Sequence, residues 1–189
     1  TDLNKLNLLW ISRKFILKNK TLGIIGGGQL GRMTALAAAK LGIECHVFDP
    51  DSNAPAFQVC SKSFINNYED LDAIKDFALG VDAVLYEFEN IPLLTAQSIE
   101  KLCILRPSSF ILSISQDRLV EKNFLLNSAK VKTAKFFECS SYEDLKKSFK
   151  ILQGLSVLKT RRFGYDGKGQ IKLDANTNLL DVWESIGSN

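Results

Sequence analysis

The sequence has a single histidine, His46, among its 189 residues. This scarcity excludes any site that needs two imidazole ligands, including most histidine-based zinc sites. Long apolar runs are also lacking, because none reaches the ~18 residues that a helix needs to cross a bilayer. The sequence therefore does not predict a helical membrane protein.

Cysteine is scarce and irregularly spaced. The four cysteines are Cys45, Cys60, Cys103 and Cys139. They form no C-x-x-C pair, and their spacing matches neither a zinc motif nor a dense disulfide framework. We expect reduced, mostly buried thiols in a cytoplasmic protein.

The chain has little net charge, +3 in total. Five Lys or Arg residues and one acid give residues 1–20 a charge of +4, which leaves −1 for the remainder. A nearly neutral body argues against nucleic acid as the main partner. We expect residues 1–20 to be a basic leader outside the fold; a membrane-surface helix and a transit-like presequence are the alternatives.

Predicted strands and helices alternate over residues 21–115. This order is typical of an α/β fold with a parallel sheet covered on both faces. In the first helix, the apolar residues Leu30, Met33, Ala37 and Leu41 share one face. Strands are predicted at 22–25, 44–49, 64–65 and 81–88, and helices at 29–41, from Asp70 to Leu79, and after Pro92.

The pattern changes near residues 110–116, where we place a domain boundary. Residues 116–189 are predicted to form a second domain that contains a hairpin with a glycine-rich connection. One helix is predicted at 116–129. A second helix is predicted to begin at a capping box formed by Ser140 and Glu143 and to end at about Leu152. Strands are predicted at 134–138, 155–160 and 170–173.

Three motifs carry candidate chemistry. The first, Gly26–Gly31, matches G-x-G-x-x-G between a strand and a helix, and Asp49 follows at the end of the next strand. An NAD site, with Asp49 on a ribose, is one interpretation. A glycine turn needed only for packing and a site for another phosphorylated or polar ligand are the alternatives.

The second motif is Glu87-Phe88-Glu89-Asn90, at the carboxyl end of a predicted strand, where α/β folds bind ligands. Side chains alternate along an extended chain, so only one of the two glutamates is expected to face the ligand. The third is the basic, glycine-rich segment 159–170, in which backbone N–H groups, Lys159 and Lys168 suit phosphate. A charged surface hairpin is its alternative.

Together these motifs identify a family. GGGQLGRM, FDP with a downstream PAF, YEFEN, QDRLVEK and LKTRRFGYDGKGQ occur in this order, and the chain resembles the N5-carboxyaminoimidazole ribonucleotide synthetases of purine biosynthesis. The resemblance implies a Rossmann-like, parallel-sheet pre-ATP-grasp domain followed by a partial α+β ATP-grasp subdomain. It also implies an enzyme that uses ATP, Mg²⁺ and bicarbonate to carboxylate aminoimidazole ribonucleotide, as a homodimer in the full-length family.

The resemblance also implies roles for individual residues. Gln29, Leu30 and Glu87 would contact the ribonucleotide, and Arg118 and Lys159 would contact ATP phosphates. Tyr165 and Asp166 would also lie near the reacting substrate, as catalytic residues. The loop over the triphosphate would consist of Gly164, Tyr165, Asp166, Gly167, Lys168, Gly169 and Gln170.

The chain departs from the family pattern in two respects. Phe163 stands where many members have a glycine. Family members also continue well beyond the part that this chain resembles, and their Mg²⁺ ligands lie in that additional part. We expect the chain, which begins with Thr1, to be an N-terminal portion that does not catalyse the reaction alone. The alternatives are an NAD-dependent oxidoreductase, a non-catalytic nucleotide-binding remnant and a formate-dependent glycinamide ribonucleotide transformylase.

Overall fold

The computed structural model describes residues 20–153, 155–164 and 168–187. They form two compact units that divide between Leu112 and Ser113, three residues before the predicted boundary, which follows residue 115. Of the predicted leader, only Lys20 is described. Its carbonyl accepts a hydrogen bond from the Glu44 N–H at 3.1 Å, and its Nζ lies 2.6 Å from Asp82 Oδ1. Lys20 therefore contacts the first unit.

The first unit is built on a five-stranded sheet in which every pairing is parallel. The strands are β1 (Thr21–Ile25), β2 (Glu44–Phe48), β3 (Lys62–Phe64), β4 (Ala83–Tyr86) and β5 (Ile104–Arg106). Their order in the sheet is β3-β2-β1-β4-β5, with β1 in the centre. The predicted parallel α/β fold is confirmed.

Helices cover both faces of this sheet. Neighbouring residues of a strand point to opposite faces, so Ile24 and Ile25, both fully buried, enter two different hydrophobic clusters. The helices are α1 (Gln29–Lys40), α2 (Leu71–Leu79), α3 (Leu93–Glu100) and α4 (Ser109–Ser115), and the division between the units falls within α4. Ile24 packs with Ala35 and Ala38 of α1, and Ile25 shares its cluster with residues of α2 and α3.

Helix α1 lies against the sheet through its small residues. Its buried positions are Gly31, Ala35 and Ala38, and a Cβ at Gly31 would collide with the carbonyl oxygen of Gly26. The predicted apolar face points the other way, since Leu30, Met33 and Leu41 are 57%, 63% and 65% exposed. Close helix–strand packing excludes these larger side chains from the buried side.

Several boundaries in the first unit differ from the sequence analysis. Strand β4 covers only Ala83–Tyr86 of the predicted 81–88, and β3 begins at Lys62, two residues before the predicted strand. The short β5 and α4 were not predicted, because three strand residues and two helical turns give too little periodicity to detect. The predicted start of α2 is confirmed, since Asp70 caps it by accepting a hydrogen bond from the Ala73 N–H.

The second unit combines helices with one antiparallel hairpin. The elements are α5 (Arg118–Asn123), α6 (Tyr142–Ile151), β6 (Ser156–Lys159), β7 (Gln170–Leu173) and α7 (Leu179–Gly187). The strands β6 and β7 pair from Ser156↔Leu173 to Lys159↔Gln170. Helix α6 packs against α7, and α7 against β7. A π-helical stretch, Phe124–Ser128, follows α5.

Two predictions for this unit are wrong in detail. Residues 134–138 form no strand, because no strand among the described residues pairs with them. The N-cap of α6 is Ser141, whose hydroxyl accepts a hydrogen bond from the Asp144 N–H, so the predicted box of Ser140 and Glu143 is displaced by one residue. Within the part of the chain that the structure describes, no helix is long and apolar enough to cross a membrane.

Candidate functional site

The candidate residues fall into two groups, one in each unit. In the first unit, the glycine loop Gly26–Gly28 joins β1 to α1. Gly26 has a φ of +100°, which favours glycine. The Gly27 N–H donates to Asp49 Oδ2 at 2.6 Å, and a Cβ at Gly27 would lie 2.6 Å from the Ala54 Cβ. The loop conformation therefore requires glycine and is held by Asp49.

Asp49 is occupied by contacts within its own unit. Its Oδ2 also accepts a hydrogen bond from the Tyr68 hydroxyl at 3.1 Å, and its Oδ1 accepts one from the Asp51 N–H at 2.8 Å. A ribose of NAD would have to displace these donors, and a pyrophosphate would lose the Gly27 N–H. The geometry thus disfavours the NAD interpretation of Gly26–Gly31 and Asp49.

Glu87 faces the same loop from the end of β4. Its Oε1 would lie 3.5 Å from a Cβ at Gly26 and 3.9 Å from one at Gly28. Burial, and then the charge of Glu89, raise the pKa of Glu87 above its usual range. A carboxylate placed here can accept hydrogen bonds from a hydroxyl or an amine of a ligand.

Gln29 and Leu30 are the first two residues of α1, directly after the glycine loop, and both are exposed. The structure thus brings the three predicted ribonucleotide contacts, Gln29, Leu30 and Glu87, to one edge of the sheet, because β1 and β4 are neighbours.

Tyr68 is a residue of this site that sequence reasoning missed. Burial, and then the carboxylates of Asp49 and Glu87, raise the pKa of its hydroxyl, so it stays protonated and serves as a donor to Asp49. Its ring stacks on Phe48 and contacts Phe88. No sequence motif includes Tyr68; its proximity to Asp49 depends on the neighbouring strands β2 and β3.

The second unit contains a cavity of about 480 Å³, a size typical of small-molecule sites. Aliphatic and aromatic side chains form most of its wall, and basic side chains also line it. The lining residues include Arg118, Lys159, Thr160 and Arg161. An apolar wall with several cations suits a planar ring that carries phosphates.

The predicted phosphate-binding residues Arg118 and Lys159 both line this cavity. Arg118 Nη2 donates to the Gly164 carbonyl at 3.0 Å. Lys159 lies opposite Gln170 in the hairpin, and Lys168 is exposed just before β7. Lys159, Lys168 and Gln170 therefore lie at the end of the hairpin where the glycine-rich connection begins, and Arg118 is bound to Gly164 of that connection.

Glycine is required where this connection joins the strands. Gly169 has a φ of +66°, and a Cβ there would lie 2.5 Å from Thr160 Oγ1. The Thr160 N–H donates to the Gly169 carbonyl at 2.8 Å. The remaining predicted loop residues, Tyr165, Asp166 and Gly167, lie outside the described residues.

A network of ion pairs beside the hairpin is a second feature that sequence reasoning missed. Arg161 lies 2.7 Å from Asp117 and 2.8 Å from Glu138. Burial opposes ionisation of Asp117, but hydrogen bonds from Arg161 and from backbone N–H groups outweigh it and hold its pKa below the usual value. By itself, the sequence of residues 116–122 is typical of a solvated helix face with local charge pairs, and it does not indicate the distant partner Arg161.

Comparison with known proteins identifies the family. The family described as the ribonucleotide synthetase preATP-grasp domain matches residues 19–116, just over half of the chain. The chain belongs to this family. The ATP-grasp domain family matches residues 124–189 of the same chain.

One name recurs among the curated relatives of this chain. The N5-carboxyaminoimidazole ribonucleotide synthase of Brucella melitensis is 42% identical over 153 residues, 81% of this chain and 42% of the relative. That of Staphylococcus epidermidis is 36% identical, covering 88% of this chain and 44% of the relative. The chain thus spans less than half the length of these relatives.

Solved structures agree with the sequence relatives. An ADP complex of an N5-carboxyaminoimidazole ribonucleotide synthetase is 43% identical, with a TM-score of 0.82 over 90% of this chain and 44% of that chain. The Staphylococcus aureus synthetase with ADP is 33% identical, with a TM-score of 0.86 over 92% of this chain and 46% of that chain. The predicted resemblance to the N5-carboxyaminoimidazole ribonucleotide synthetases is confirmed. The predicted fold class, a parallel-sheet pre-ATP-grasp domain followed by part of an ATP-grasp domain, is confirmed as well.

Proposed function

We propose that the protein catalyses the ATP-dependent carboxylation of 5-aminoimidazole ribonucleotide with bicarbonate, giving N5-carboxyaminoimidazole ribonucleotide, ADP and phosphate. The observation that carries the proposal is the placement of Arg118 and Lys159 on one cavity beside the glycine-rich hairpin. The names of the relatives support the same reaction. Because the relatives extend far beyond the match, the activity is assigned to the whole protein rather than to these residues alone.

The proposed chemistry has two steps. A bicarbonate oxygen attacks the γ-phosphorus of ATP, the bond to ADP breaks, and carboxyphosphate forms. The exocyclic amine of the ribonucleotide then attacks the carboxyphosphate carbon, phosphate leaves, and the nitrogen loses a proton. Phosphoryl transfer depends on positioning and charge neutralisation, the roles we assign to Arg118 and Lys159. Tyr165 and Asp166 are proposed to act at the second step.

We assign ribonucleotide binding to the first unit. The carboxylate of Glu87 is proposed to accept hydrogen bonds from ribose hydroxyls or from the amine, and Gln29 and Leu30 to border the ligand. The Gly27 N–H is already bound by Asp49, and Asp49 and Glu87 are both acidic. Repulsion therefore disfavours a substrate phosphate at this loop. In a dinucleotide-binding fold, by contrast, the equivalent glycine loop binds the pyrophosphate.

Magnesium enters this proposal only as the ion that accompanies ATP. Among residues 20–153, 155–164 and 168–187, no group of three or more His, Cys, Asp or Glu side chains lies together to hold a metal ion. These residues do not fit a Mg²⁺ site, and neither step is assigned to the ion. A homodimer in the cytoplasm is part of the proposal; the free thiols of the four cysteines are consistent with that compartment.

The proposal is tested by ATP-dependent phosphate release with two substrate pairs. Aminoimidazole ribonucleotide with bicarbonate should support release, and glycinamide ribonucleotide with formate should not. Glu87→Gln should raise the KM for the ribonucleotide, and Lys159→Gln that for ATP, each by about tenfold or more. Lys146→Gln, which removes an exposed lysine of α6 paired with Glu143, is the matched control and should change neither.

The results also separate the rival functions. Release with formate but not bicarbonate would identify a transformylase instead. Binding of NADH, detected by fluorescence transfer, would support an oxidoreductase and contradict the structural role of Asp49. If the protein bound nucleotide but released phosphate with neither substrate pair, it would be identified as a non-catalytic nucleotide-binding remnant.

A further inference from the structure

Asp117 and Arg161, which are 44 residues apart, form a two-point ion pair in the second unit. Arg161 Nη2 donates to Asp117 Oδ2 at 2.7 Å, and Nε lies 3.1 and 3.2 Å from the two carboxylate oxygens. Asp117 keeps only 15% of its side chain exposed. A fork of this kind fixes direction as well as distance.

A backbone hydrogen bond joins the same two segments. The Arg118 N–H donates to the Arg161 carbonyl at 2.9 Å, so Arg161 is bound to residues 117 and 118 through both its side chain and its backbone. Asp117 also caps α5, accepting hydrogen bonds from the N–H groups of Leu119 and Val120. The start of α5 is thereby fixed to the end of β6.

The guanidinium of Arg161 is fully engaged by carboxylates. Nη1 binds Glu138 at 2.8 Å, while Nε and Nη2 bind Asp117. One cation facing two anions leaves a local net charge of −1, which does not attract phosphate. Arg118 differs, since its guanidinium donates to the neutral Gly164 carbonyl.

We propose that the Asp117–Arg161 pair is a positioning element that sets Arg118 against the phosphates of the nucleotide without contacting the nucleotide itself. This inference rests on the proposed function, in which Arg118 binds those phosphates. Arg118 is held at its backbone by Arg161 and at its guanidinium by Gly164. Movement of Arg161 would therefore displace the guanidinium relative to the cavity.

The test compares ADP with adenosine in Asp117→Asn. Asparagine keeps an oxygen that caps α5 equally well but loses the charge and the two-point pairing. Displacing a phosphate-binding group should raise the Kd for ADP by about tenfold, and that for adenosine should not change. Arg161→Lys, at a side chain that is 51% exposed, keeps the charge without the fork, and it provides the same comparison if Asp117→Asn does not fold.

A double-mutant cycle shows whether the effect passes through Arg118. In an Arg118→Gln background, Asp117→Asn should cause no further loss of ADP affinity. Glu143→Gln, an acid-to-amide change that breaks the exposed Lys146–Glu143 pair, is the matched control and should leave the Kd for ADP unchanged.

The outcomes are distinguishable. Equal losses for ADP and adenosine, or a full further loss in the Arg118→Gln background, would overturn the positioning role while ADP binding by the wild type still stands. Failure of the wild-type protein to bind ADP would overturn the proposed function, and this inference with it.

Discussion

The carboxylate of Asp49 binds the backbone N–H of Gly27 at 2.6 Å, so an acid fixes the loop that a dinucleotide fold would keep free for phosphate. The same side chain accepts hydrogen bonds from Tyr68 and from the Asp51 N–H. It is therefore a structural centre of the candidate ribonucleotide site.

Removal of this carboxylate should destabilise the protein. Asp49→Ala leaves two backbone N–H groups and the Tyr68 hydroxyl without their acceptor, and we expect a loss of about 2–4 kcal/mol in the free energy of unfolding. Asp49→Asn keeps one acceptor oxygen and should lose less. Urea unfolding measures both. Asp51→Asn, at an exposed turn residue, is the control; equal stability of Asp49→Ala and wild type would contradict the role of Asp49.

Much of this architecture was predictable because its signals are local. The glycine loop, the helix start at Asp70 and the apolar strand predicted at 22–25 each depend on a few consecutive residues, and the parallel fold they predict is confirmed. The wrong strand at 134–138 shows the limit, since a strand needs a partner that its own sequence does not specify.

The sites were less predictable because their contacts join distant segments. Asp49 is visible in the sequence as an acid after a strand, but its partner Tyr68 comes from beyond β3. Asp117 and Arg161 meet across 44 positions. The buried face of α1 was also unexpected, because Gly31 and Ala35 carry little hydrophobic signal beside Leu30.

Gly31 should not tolerate a side chain. In Gly31→Ala the new Cβ would collide with the Gly26 carbonyl oxygen, so α1 or the loop must move, at a cost of about 3 kcal/mol in unfolding free energy. Gly28→Ala is the matched control, because its Cβ would meet nothing nearer than Glu87 Oε1 at 3.9 Å. Thermal unfolding of the two variants compares them directly; similar melting temperatures would show that the helix can shift freely.

Glu87 should destabilise the fold at neutral pH. Its pKa is raised by burial and then by Glu89 above the ordinary 4.5. Between the unfolded and folded pKa values, the folded state binds more protons, so this residue's contribution to stability falls as pH rises through that window.

Glu87→Gln removes that titration. The variant should gain stability over wild type as pH rises above 4.5, even as it loses affinity for the ribonucleotide. Urea unfolding from pH 4 to pH 7 measures the difference, with the exposed Glu69→Gln as control. A difference that is constant across this range would exclude a shifted pKa.

The single histidine allows a direct titration. Burial, and then the charge of Lys62, lower the pKa of His46 below 6.5, against a smaller opposing effect of Glu44. Its Nδ1 is buried without a hydrogen-bond partner. The folded state therefore binds fewer protons than the unfolded state near this pKa, and stability should fall as pH drops below 6.5.

Because the chain has one imidazole, its ring-proton NMR signals can be assigned directly. We expect the pH midpoint of their chemical-shift titration to lie below 6.5 in the folded protein, and near the ordinary value in urea. Lys62→Gln should raise the folded midpoint, whereas Lys75→Gln, at an exposed position on α2, should leave it in place. A folded midpoint at or above 6.5 would contradict the lowered pKa.

The hydrogen bond between Gly27 and Asp49 has a consequence for the thermodynamics of ligand binding. Glycine has more backbone freedom to lose than any other residue, and here that freedom is lost when the chain folds, since the loop is fixed by Asp49 and by contact with Ala54. A ligand then meets a rigid surface and need not order it. Binding at this loop should therefore carry a small entropic penalty from the protein.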